Sequence, residues 1–459
     1  MQSENQKKPG NSVARELARM VIDVQYSDLP DRALDHAEML LASTIASAAA
    51  GSQLQSSRII RAVEVERGGR AESTAWFGAA EKLPMAAAAR INALSSDAAA
   101  SDDSDLRNIV HQGTTACATA LAVGERTGAS GAEVLAAVVL GYEAAGRISS
   151  AMQCGFKSKG FHGCIVATFA STAAAARLLK LPVTETTHAI ALTATSIGGL
   201  SKVADTSLAR EYHAGQAALV GVQAVQAAAR GYTADECALE KRDGYFEVFG
   251  QDTDPGAVGR DLGKRWCILD HLGIKLIPGG HPHHAVAEAA AQAAITGDVN
   301  PDQVEAIEVS RPGFQGFANP ATPTDLIGMA HSAYFFAAAG AADRDFTWAH
   351  ASEEKILDPR IQGLLGKVRM VAPPTEHLER FQSGAVVTIR TRGGRSHSAT
   401  VHAPKGAATF GIAWADVEAK YRTLAPFGIS GAERLEESLR VIRNFRRAAN
   451  ASELVGLLR

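Results

Sequence analysis

Four clusters of ionisable side chains in this chain could carry chemistry. The clearest is KGFHG at 159–163, in which His162 stands between glycines and beside an aromatic residue. Glycine costs a helix about 1 kcal/mol relative to alanine, so something other than helix formation favours these residues. Taken alone, the segment is equally consistent with a loop that carries a surface histidine. The chemistry that such a histidine would supply is proton transfer.

Cationic and acidic groups make up the next two clusters. Arg210 and His213 form one of them, and a guanidinium matches a carboxylate bidentately but cannot act as a base. In the other, Asp103 and Ser104 precede His111 within an acidic stretch. Such a stretch is usually a solvated loop. If it is functional, its hydroxyl and carboxylate groups would hold the histidine in place.

The fourth cluster consists of Lys275 and the histidines His281, His283 and His284. Neutral imidazole is a common metal ligand, so a metal site has to be weighed here. The pattern HxHH alone is a weak zinc signal, and neither an HExxH motif nor a nearby cysteine strengthens it. A cationic pocket for a carboxylate fits at least as well, and we therefore expect no metal site.

Together these groups suit proton transfer beside a carboxylate. A base would remove the α-proton, cations would stabilise the enediolate-like charge, and an acid would protonate the leaving group. The chain contains no GxGxxG after a strand, no P-loop and no GxSxG. Nucleotide cofactors and serine hydrolysis therefore receive little support, and we expect an enzyme that needs no cofactor.

Composition places the chain among ordinary globular proteins. At 459 residues it is long for a single core, and its hydrophobic and charged fractions are 46% and 21%. The net charge of −3 shows no basic excess, which argues against nucleic acid as a partner. The polar N-terminus lacks the apolar core of a secretory signal, and no run of about 18 uncharged apolar residues occurs. We expect a cytoplasmic protein that does not bind membranes.

The elements that must position these groups are mostly helices. Hydrophobic periodicity predicts a large all-helical domain over 12–267, with alanine-rich faces that imply closely spaced helices. Residues 268–405 predict a smaller α+β domain, and residues 406–459 predict helices that pack back on the first domain. The polar residues 1–11 are expected to be disordered. The predicted fold class is mainly α, with the α+β domain inserted before the C-terminal helices.

The α+β prediction depends on four segments. Residues 304–309 alternate between apolar and polar side chains, as a half-buried strand does. Residues 385–402 predict a hairpin around the glycine pair 393–394. A helix is predicted over 332–342, and the HPHH segment is predicted to lie in a loop before a further alanine-rich helix.

In their order and spacing, these motifs resemble the MmgE/PrpD family of 2-methylcitrate dehydratases and cis-aconitate decarboxylases. Each motif is weak alone, but six of them follow one another along nearly the whole chain. They are DDS at 102–104 with His111, GYE at 141–143, GFH at 160–162, Arg210 with GQAA at 215–218, Lys275 with His284, and PKG at 404–406. The resemblance implies a helical domain interrupted by an α+β lid domain, an active site between the two, a homodimer and no required cofactor.

The resemblance also implies roles for individual residues. His111 and His162 match active-site histidines, and Lys275 matches a substrate-binding lysine. Ser104 and Arg210 stand where the decarboxylase has threonine and lysine. The implied catalytic residues are His162, His111, Ser104, Asp103 and Tyr334, and the implied substrate-binding residues are Arg210, His213, Lys275, His281 and His284.

Three positions depart from the family pattern. The tyrosine of the lid helix aligns without gaps to Phe336, so Tyr334 serves only if the register shifts. Ala100 stands where an aspartate is expected, and that carboxylate is missing unless Asp102 or Asp103 takes its role. Gly280 replaces a histidine for which the neighbouring His281 is the candidate substitute.

The leading functional prediction is a lyase, dehydratase-like, that acts on a small di- or tricarboxylate. Three alternatives stay open within the family resemblance: an epimerase of an aminodicarboxylate such as iminodisuccinate, a decarboxylase, and an inactive carboxylate-binding protein or scaffold. A metal hydrolase is the remaining alternative, and it requires a metal at residues 281–284.

Overall fold

The structure is a computed structural model that describes residues 12–79, 81–153, 155–313 and 322–459. It divides into two compact units, the second of which consists of Lys275–Ile412 and the short piece Asp205–Ser207. The first unit holds the rest of the chain on either side of these segments. The tail over 1–11, which the sequence predicts to be disordered, lies outside the described residues.

The N-terminal part of the first unit is built from helices, as the sequence predicts. They are α1 (Val13–Asp23), α2 (Asp31–Gly51), α3 (Gln55–Arg67), α4 (Met85–Ala98), α5 (Gln112–Thr127), α6 (Gly131–Met152), α7 (Gly155–Ser158), α8 (Cys164–Leu178), α9 (Val183–Thr195), α10 (Ser201–Asp205), α11 (Ala209–Ala228), α12 (Tyr245–Phe249) and α13 (Cys267–Asp270). Four short strands accompany them: β1 (Ser73–Thr74), β2 (Lys82–Leu83), β3 (Asp103–Asp105) and β4 (Leu272–Ile274).

Small residues bring the helices of this unit close together. A Cβ added to Gly141 of α6 would lie 2.7 Å from the carbonyl oxygen of Ala170 in α8. Helix α6 is long and apolar enough to cross a membrane by composition, but 94% of its apolar window is buried inside the protein. It is therefore packed as a core helix, and its glycine marks a close helix contact rather than a break.

The ribbon of β3 and β4 joins two distant parts of the first unit. Asp103 is paired with Ile274 and Ser104 with Gly273 in an antiparallel register. Because of this pairing, residues 268–274, which the sequence analysis placed in the α+β domain, lie in the first unit. The ribbon also holds the acidic stretch near His111 in a fixed, buried conformation instead of a solvated loop.

The second unit has a mixed sheet with helices packed against it. Its helices are α14 (His281–Thr296), α15 (Leu326–Ala330), α16 (Ala333–Asp343), α17 (Glu353–Ile356) and α18 (Pro359–Leu365). Its strands are β5 (Val304–Ser310), β6 (Val368–Met370), β7 (Ala385–Thr391) and β8 (Ser396–Val401), in the order β6-β5-β7-β8. Strand β5 runs parallel to β6 and antiparallel to β7, and β7 and β8 form the hairpin around the glycine pair.

The C-terminal helices belong to the first unit. They are α19 (Trp414–Leu424), α20 (Ala432–Arg443) and α21 (Ser452–Val455). The buried Lys420 of α19 donates hydrogen bonds to Ser43 Oγ and to the carbonyl oxygen of Ser101. Backbone hydrogen bonds from Gly131 to Ala448 and from Ala451 to Ala129 tie the chain end to the start of α6.

Gly131→Ala is expected to destabilise the first unit. An added Cβ would lie 1.6 Å from the carbonyl oxygen of Phe445, a backbone atom that moves only if the C-terminal segment shifts. We expect the free energy of unfolding in urea to fall by about 1–3 kcal/mol.

The control for this variant is Gly363→Ala in α18, where an added Cβ meets nothing within 4 Å. Losing a glycine from that helix should be neutral or should stabilise by up to about 1 kcal/mol. Equal stability of the two variants would contradict the close contact at Gly131.

Candidate active site

His162 lies in a loop that is paired with a second loop. The backbone N–H of His162 donates to the carbonyl oxygen of Gly199 at 3.0 Å, and that of Ser201 donates to Gly160 at 2.9 Å. Gly160 and Gly199 have φ values of +86° and +149°, which favour glycine. A Cβ on Gly199 would also lie 2.6 Å from Cys164 Sγ. These glycines therefore shape the histidine loop, and the segment is not a helix.

The environment of His162 keeps its imidazole neutral. Its Nδ1 accepts a hydrogen bond from the backbone N–H of Cys164, the first residue of α8, at 3.3 Å. Burial, followed by the charges of His111, His213, Lys157 and Arg210, lowers the pKa of His162 well below 6.5. The positive end of α8 acts in the same direction.

His213 is in ring contact with His162. The two ring centroids are 5.1 Å apart, and the planes are tilted by 43°. His213 lies in α11, and its buried Nδ1 has no hydrogen-bond partner among the described residues. Burial lowers the pKa of His213, and Asp97 opposes that shift. The structure thus brings two neutral imidazoles together, one from a loop and one from α11, that are about fifty residues apart in sequence.

His111 is held by oxygen atoms on one side of its ring. Its Nδ1 lies 2.6 Å from the carbonyl oxygen of Asp103 and 3.0 Å from Oδ2 of Asp102. Because both neighbours are acceptors, Nδ1 carries the proton, and Nε2 of the neutral ring keeps a lone pair. The backbone just before it is strained, since the β-branched Ile109 has a φ of +51°.

Asp103, which the family resemblance implies is catalytic, is a capping residue in the structure. Its carboxylate accepts hydrogen bonds from the backbone N–H groups of Gly113 and Thr114 at 3.1 and 2.8 Å. These N–H groups belong to the first turn of α5 and have no partner within the helix. Burial raises the pKa of Asp103 to about 6, with a further contribution from Asp102. The hydrogen bonds of Asp103 therefore position the segment that holds His111, and a catalytic role of its carboxyl group stays a prediction.

Asp102 is the carboxylate that reaches the imidazole. It is completely buried, and its Oδ2 also accepts a hydrogen bond from Thr114 Oγ1 at 3.1 Å. Asp102 thus occupies the position of an orienting carboxylate, one of the two substitutes considered for the missing aspartate. At Ala100 itself the backbone has a φ of +51° and the side chain is a buried methyl group. The adjacent pair of aspartates was the only sequence signal for this role.

Ser104 lies beside this carboxylate pair in β3. Its side chain is completely buried, and its Oγ has no hydrogen-bond partner within the part of the chain that the structure describes. Successive residues of a strand face opposite sides, so Ser104 points away from the carboxylates of Asp103 and Asp105. An unsatisfied buried hydroxyl is costly, and it is a candidate hydrogen-bond donor.

Arg210 does not present an open fork to a carboxylate. Its Nη2 donates to the carbonyl oxygens of Asp97 and Ala98 at 3.1 and 3.0 Å, at the C-terminal end of α4. Its Nε lies 3.2 Å from Oδ1 of Asp97. Arg210 therefore caps the end of α4 and is partly neutralised by Asp97, and its assignment to substrate binding stays a prediction. The residue lies within α11, where Gly215 allows close packing against α4 rather than forming a loop.

The two lysines near His162 have different roles. Lys159, within the motif that drew attention to the site, donates to the carbonyl oxygens of Glu247 and Val248 at 2.7 and 3.2 Å. It therefore caps the end of α12. Lys157 is exposed, and its charge acts on His162.

The histidines of the second unit begin a helix instead of lying in a loop. His281 is the first residue of α14, and its ring centroid lies 4.7 Å from that of His284. Nε2 of His284 is 3.3 Å from the carbonyl oxygen of Gly279. Lys275, at the start of the second unit, is buried. Of the residues expected to bind substrate here, His281 and His284 are thus buried in the first turn of α14, and Lys275 is buried in the segment before it.

Phe336, not Tyr334, is the aromatic residue that lies against these histidines. Its ring is stacked on that of His284 at 6.0 Å and lies 5.5 Å from that of His283. Two residues of an α-helix are separated by about 200° around its axis, so Tyr334 points elsewhere from α16. The ring that lies beside these histidines therefore has no hydroxyl group, and a catalytic role of Tyr334 stays a prediction.

The first unit therefore brings together imidazoles, carboxylates and a guanidinium at the starts and ends of buried helices, an arrangement that can transfer protons. The chain belongs to the MmgE/PrpD family. The MmgE/PrpD N-terminal domain matches residues 15–257, and the MmgE/PrpD C-terminal domain matches residues 278–444.

Curated relatives of this chain include cis-aconitate decarboxylases. The human cis-aconitate decarboxylase is 24% identical over 463 residues, which cover 98% of this chain and 95% of the relative. The cis-aconitate decarboxylase-like protein oryM of Aspergillus oryzae is 24% identical over 479 residues, or 98% of each chain. The mouse cis-aconitate decarboxylase is 28% identical over 256 residues, which cover 53% of this chain and 51% of the relative.

His283→Gln is expected to reduce the loss of stability in acid. Burial, with the charges of Arg311 and His331, lowers the pKa of His283 from 6.5 to about 3. Between these values the unfolded chain binds a proton that the folded chain does not, so stability falls as the pH falls from 6.5. The contribution of one such group is up to about 1.4 kcal/mol per pH unit.

Urea unfolding at several pH values between about 4 and 7 measures this effect. The plot of unfolding free energy against pH should be shallower for the variant than for the wild type. Identical slopes would contradict a neutral, buried imidazole at position 283.

Proposed function

We propose that this protein is a lyase that uses His111 and His162 to break a bond next to a carboxylate of a small di- or tricarboxylate. The observation that carries this proposal is the different surroundings of Nδ1 in the two imidazoles, acceptor oxygens at His111 and a donor N–H at His162, from which opposite tautomers follow. Asp102 and the Asp103 carbonyl hold the proton of His111 on Nδ1, whereas the Cys164 N–H directs a lone pair of His162 to Nδ1.

His111 is the proposed general base. With its proton on Nδ1, the ring offers the Nε2 lone pair to a substrate C–H group. The buried Asp102 fixes the orientation of the ring and stabilises the imidazolium that forms after proton transfer.

His162 is the proposed hydrogen-bond donor and acid. Because Nδ1 accepts a hydrogen bond, the proton of the neutral ring lies on Nε2. The lowered pKa keeps the ring neutral at physiological pH, and a neutral imidazole can polarise a carboxylate or hydroxyl oxygen. Two imidazoles with opposite tautomers thus supply both partners that an elimination requires.

The charges around His162 favour an anionic substrate. Lys157 and Arg210 act on this imidazole, together with His111 and His213 when protonated. A bound carboxylate would replace the water lost on burial and relieve the mutual repulsion of these cations. Because Asp97 partly neutralises Arg210, we assign the substrate's main hydrogen bonds to the imidazoles.

In a dehydration, His111 Nε2 takes the proton on the carbon next to a carboxylate, and the electron pair passes into an enediolate. The pair then forms the double bond as the C–O bond breaks. His162 Nε2–H gives its proton to the departing hydroxyl group, and the proton held by the His111 imidazolium returns through solvent to the imidazolate of His162, so that both rings end neutral and the products are water and an unsaturated acid.

Decarboxylation is the second candidate reaction. It is favoured by the cis-aconitate decarboxylases, whose similarity covers almost all of this chain. In that reaction the C–C bond to a carboxylate breaks, CO2 leaves with its two oxygens, and the electron pair remains on the organic acid. An imidazolium then protonates the carbon that has lost CO2. The same pair of histidines would thus deliver a proton to carbon, whereas in the dehydration it removes one.

The quaternary structure is also proposed from the family resemblance, and the location and the absence of nucleic-acid and membrane binding are proposed from charge and composition. We propose a homodimer in the cytoplasm that binds neither nucleic acid nor membranes. Light scattering on the purified chain tests the dimer, and a mass of one chain would contradict it.

The reaction is tested with a panel of citrate-like and aminodicarboxylate substrates in deuterated water, followed by proton NMR. We expect loss of water or CO2 from one member, which His162→Ala should slow by about 100-fold or more without loss of helical circular dichroism. The matched control is His188→Ala, a half-buried histidine in α9 that contacts the Ala234 carbonyl oxygen. Exchange of α-protons without elimination would indicate an epimerase, and binding without turnover would indicate an inactive protein; either result contradicts the lyase.

Asp102→Asn tests the orientation of the base. Loss of the charge should lower kcat by about 10–100-fold while KM changes little, because the carboxylate contacts His111 rather than the substrate. Steady-state kinetics on the substrate found in the panel measure this effect. An unchanged kcat would remove Asp102 and the proposed tautomer of His111 from the mechanism.

A further inference from the structure

We propose that His162, Cys164 and His213 form a binding site for a thiophilic divalent metal ion, zinc above all, and that the bound ion inhibits the protein. One potential ligand atom from each residue lies within 4.8 Å of the other two. The inhibitory part rests on the proposed lyase function, because it requires His162 to act in turnover. The binding part rests only on the three side chains.

The three residues supply the ligand set that zinc prefers. Two imidazole nitrogens and one thiolate sulfur leave a fourth tetrahedral position for water or a carboxylate. Zinc bonds of ordinary length place such ligand atoms about 3.3–3.6 Å apart. The observed spacing therefore has to contract by about 1 Å, which small rotations of the side chains provide.

An unsatisfied nitrogen atom provides an independent indication of a ligand. Nδ1 of His213 is buried and has no hydrogen-bond partner among the described residues. Most buried polar atoms in proteins are satisfied, and an exception calls for an explanation such as a missing ion. A metal bond to this nitrogen would remove the cost of its burial.

The backbone above the three ligands is shaped to leave room for them. Gly199 has a φ of +149°, and an added Cβ would lie 2.6 Å from Cys164 Sγ and 3.3 Å from His213 Nδ1. Any side chain at this position would thus enter the space next to the sulfur and nitrogen ligands. The same loop supplies the Gly198 carbonyl oxygen, to which the thiol now donates at 3.2 Å.

The thiolate formed on binding and the carboxylate of Asp97 would offset part of the charge of a bound ion, against the charges of Lys157 and Arg210. The carboxylate of Asp97 acts electrostatically on both Cys164 and His213. Binding forms a metal–sulfur bond and releases the thiol proton to solvent, so no oxidant or reductant is required. Because burial raises the pKa of Cys164 to about 12, affinity should increase as the pH rises.

Inhibition follows from the shared histidine. A nitrogen of His162 that binds a metal ion can no longer accept the Cys164 N–H or keep the tautomer assigned to the acid. Cys164 itself has no assigned part in turnover, and its backbone N–H is retained in any side-chain variant.

The site is tested with Co²⁺ added to the purified full-length chain, because cobalt reports its ligands by absorption. We expect one equivalent to produce the visible bands of tetrahedral cobalt and a thiolate-to-cobalt band in the near ultraviolet, and Zn²⁺ to abolish both. Cys164→Ser should lose the thiolate band. The matched control, Cys237→Ser, changes a free cysteine outside the cluster and should keep the band.

The inhibitory role is tested separately by kinetics. Zn²⁺ should inhibit the wild type and Cys237→Ser, a chelator should reverse the effect, and Cys164→Ser should require at least tenfold more zinc. A cobalt spectrum without tetrahedral bands, or one unchanged in Cys164→Ser, would overturn the metal site. Full activity with zinc bound would overturn the inhibition. A positive spectrum with no turnover of any substrate would overturn the lyase and leave the metal site standing.

Discussion

The start of α5 is the constraint on which the candidate site depends. The first turn of a helix carries backbone N–H groups without partners, and the carboxylate of Asp103 satisfies those of Gly113 and Thr114. This capping fixes the main chain so that the Asp103 carbonyl and the Asp102 carboxylate both face His111. The pairing of β3 with β4 holds the same segment from the other side. The tautomer of His111, the proposed base, thus follows from the way a helix begins.

Glycine residues have two different physical functions in the first unit. Within helices they permit close approach, as Gly141 does between α6 and α8 and Gly215 does between α11 and α4. In the loops at Gly160 and Gly199 they permit a positive φ that L-residues with side chains rarely adopt. Both functions serve the site, since short distances between helices bring imidazoles from α11 and from the start of α8 into contact.

Membership in the MmgE/PrpD family makes the departures of this chain informative. Phe336 provides a stacked ring but no hydroxyl group beside His284, and Ala100 provides no carboxylate. Arg210 keeps a positive charge, but its Nη2 donates to the backbone carbonyls at the end of α4 and the guanidinium is paired with Asp97. What remains for acid–base chemistry is the pair of imidazoles, and the proposed lyase mechanism accordingly depends on them rather than on the arginine.

The sequence by itself determined the mainly helical fold class, the positions of most helices, the hairpin of β7 and β8, and the family. These properties are encoded locally, in hydrophobic periodicity, turn residues and the order of short motifs. Only the tertiary structure decided that Asp103 caps a helix, that Arg210 pairs with Asp97, and that Phe336 rather than Tyr334 faces the histidines. The physical reason is that a hydrogen bond or a ring contact depends on which distant segment supplies the partner. Arg210 and Asp97 are 113 residues apart, and no local pattern records their meeting.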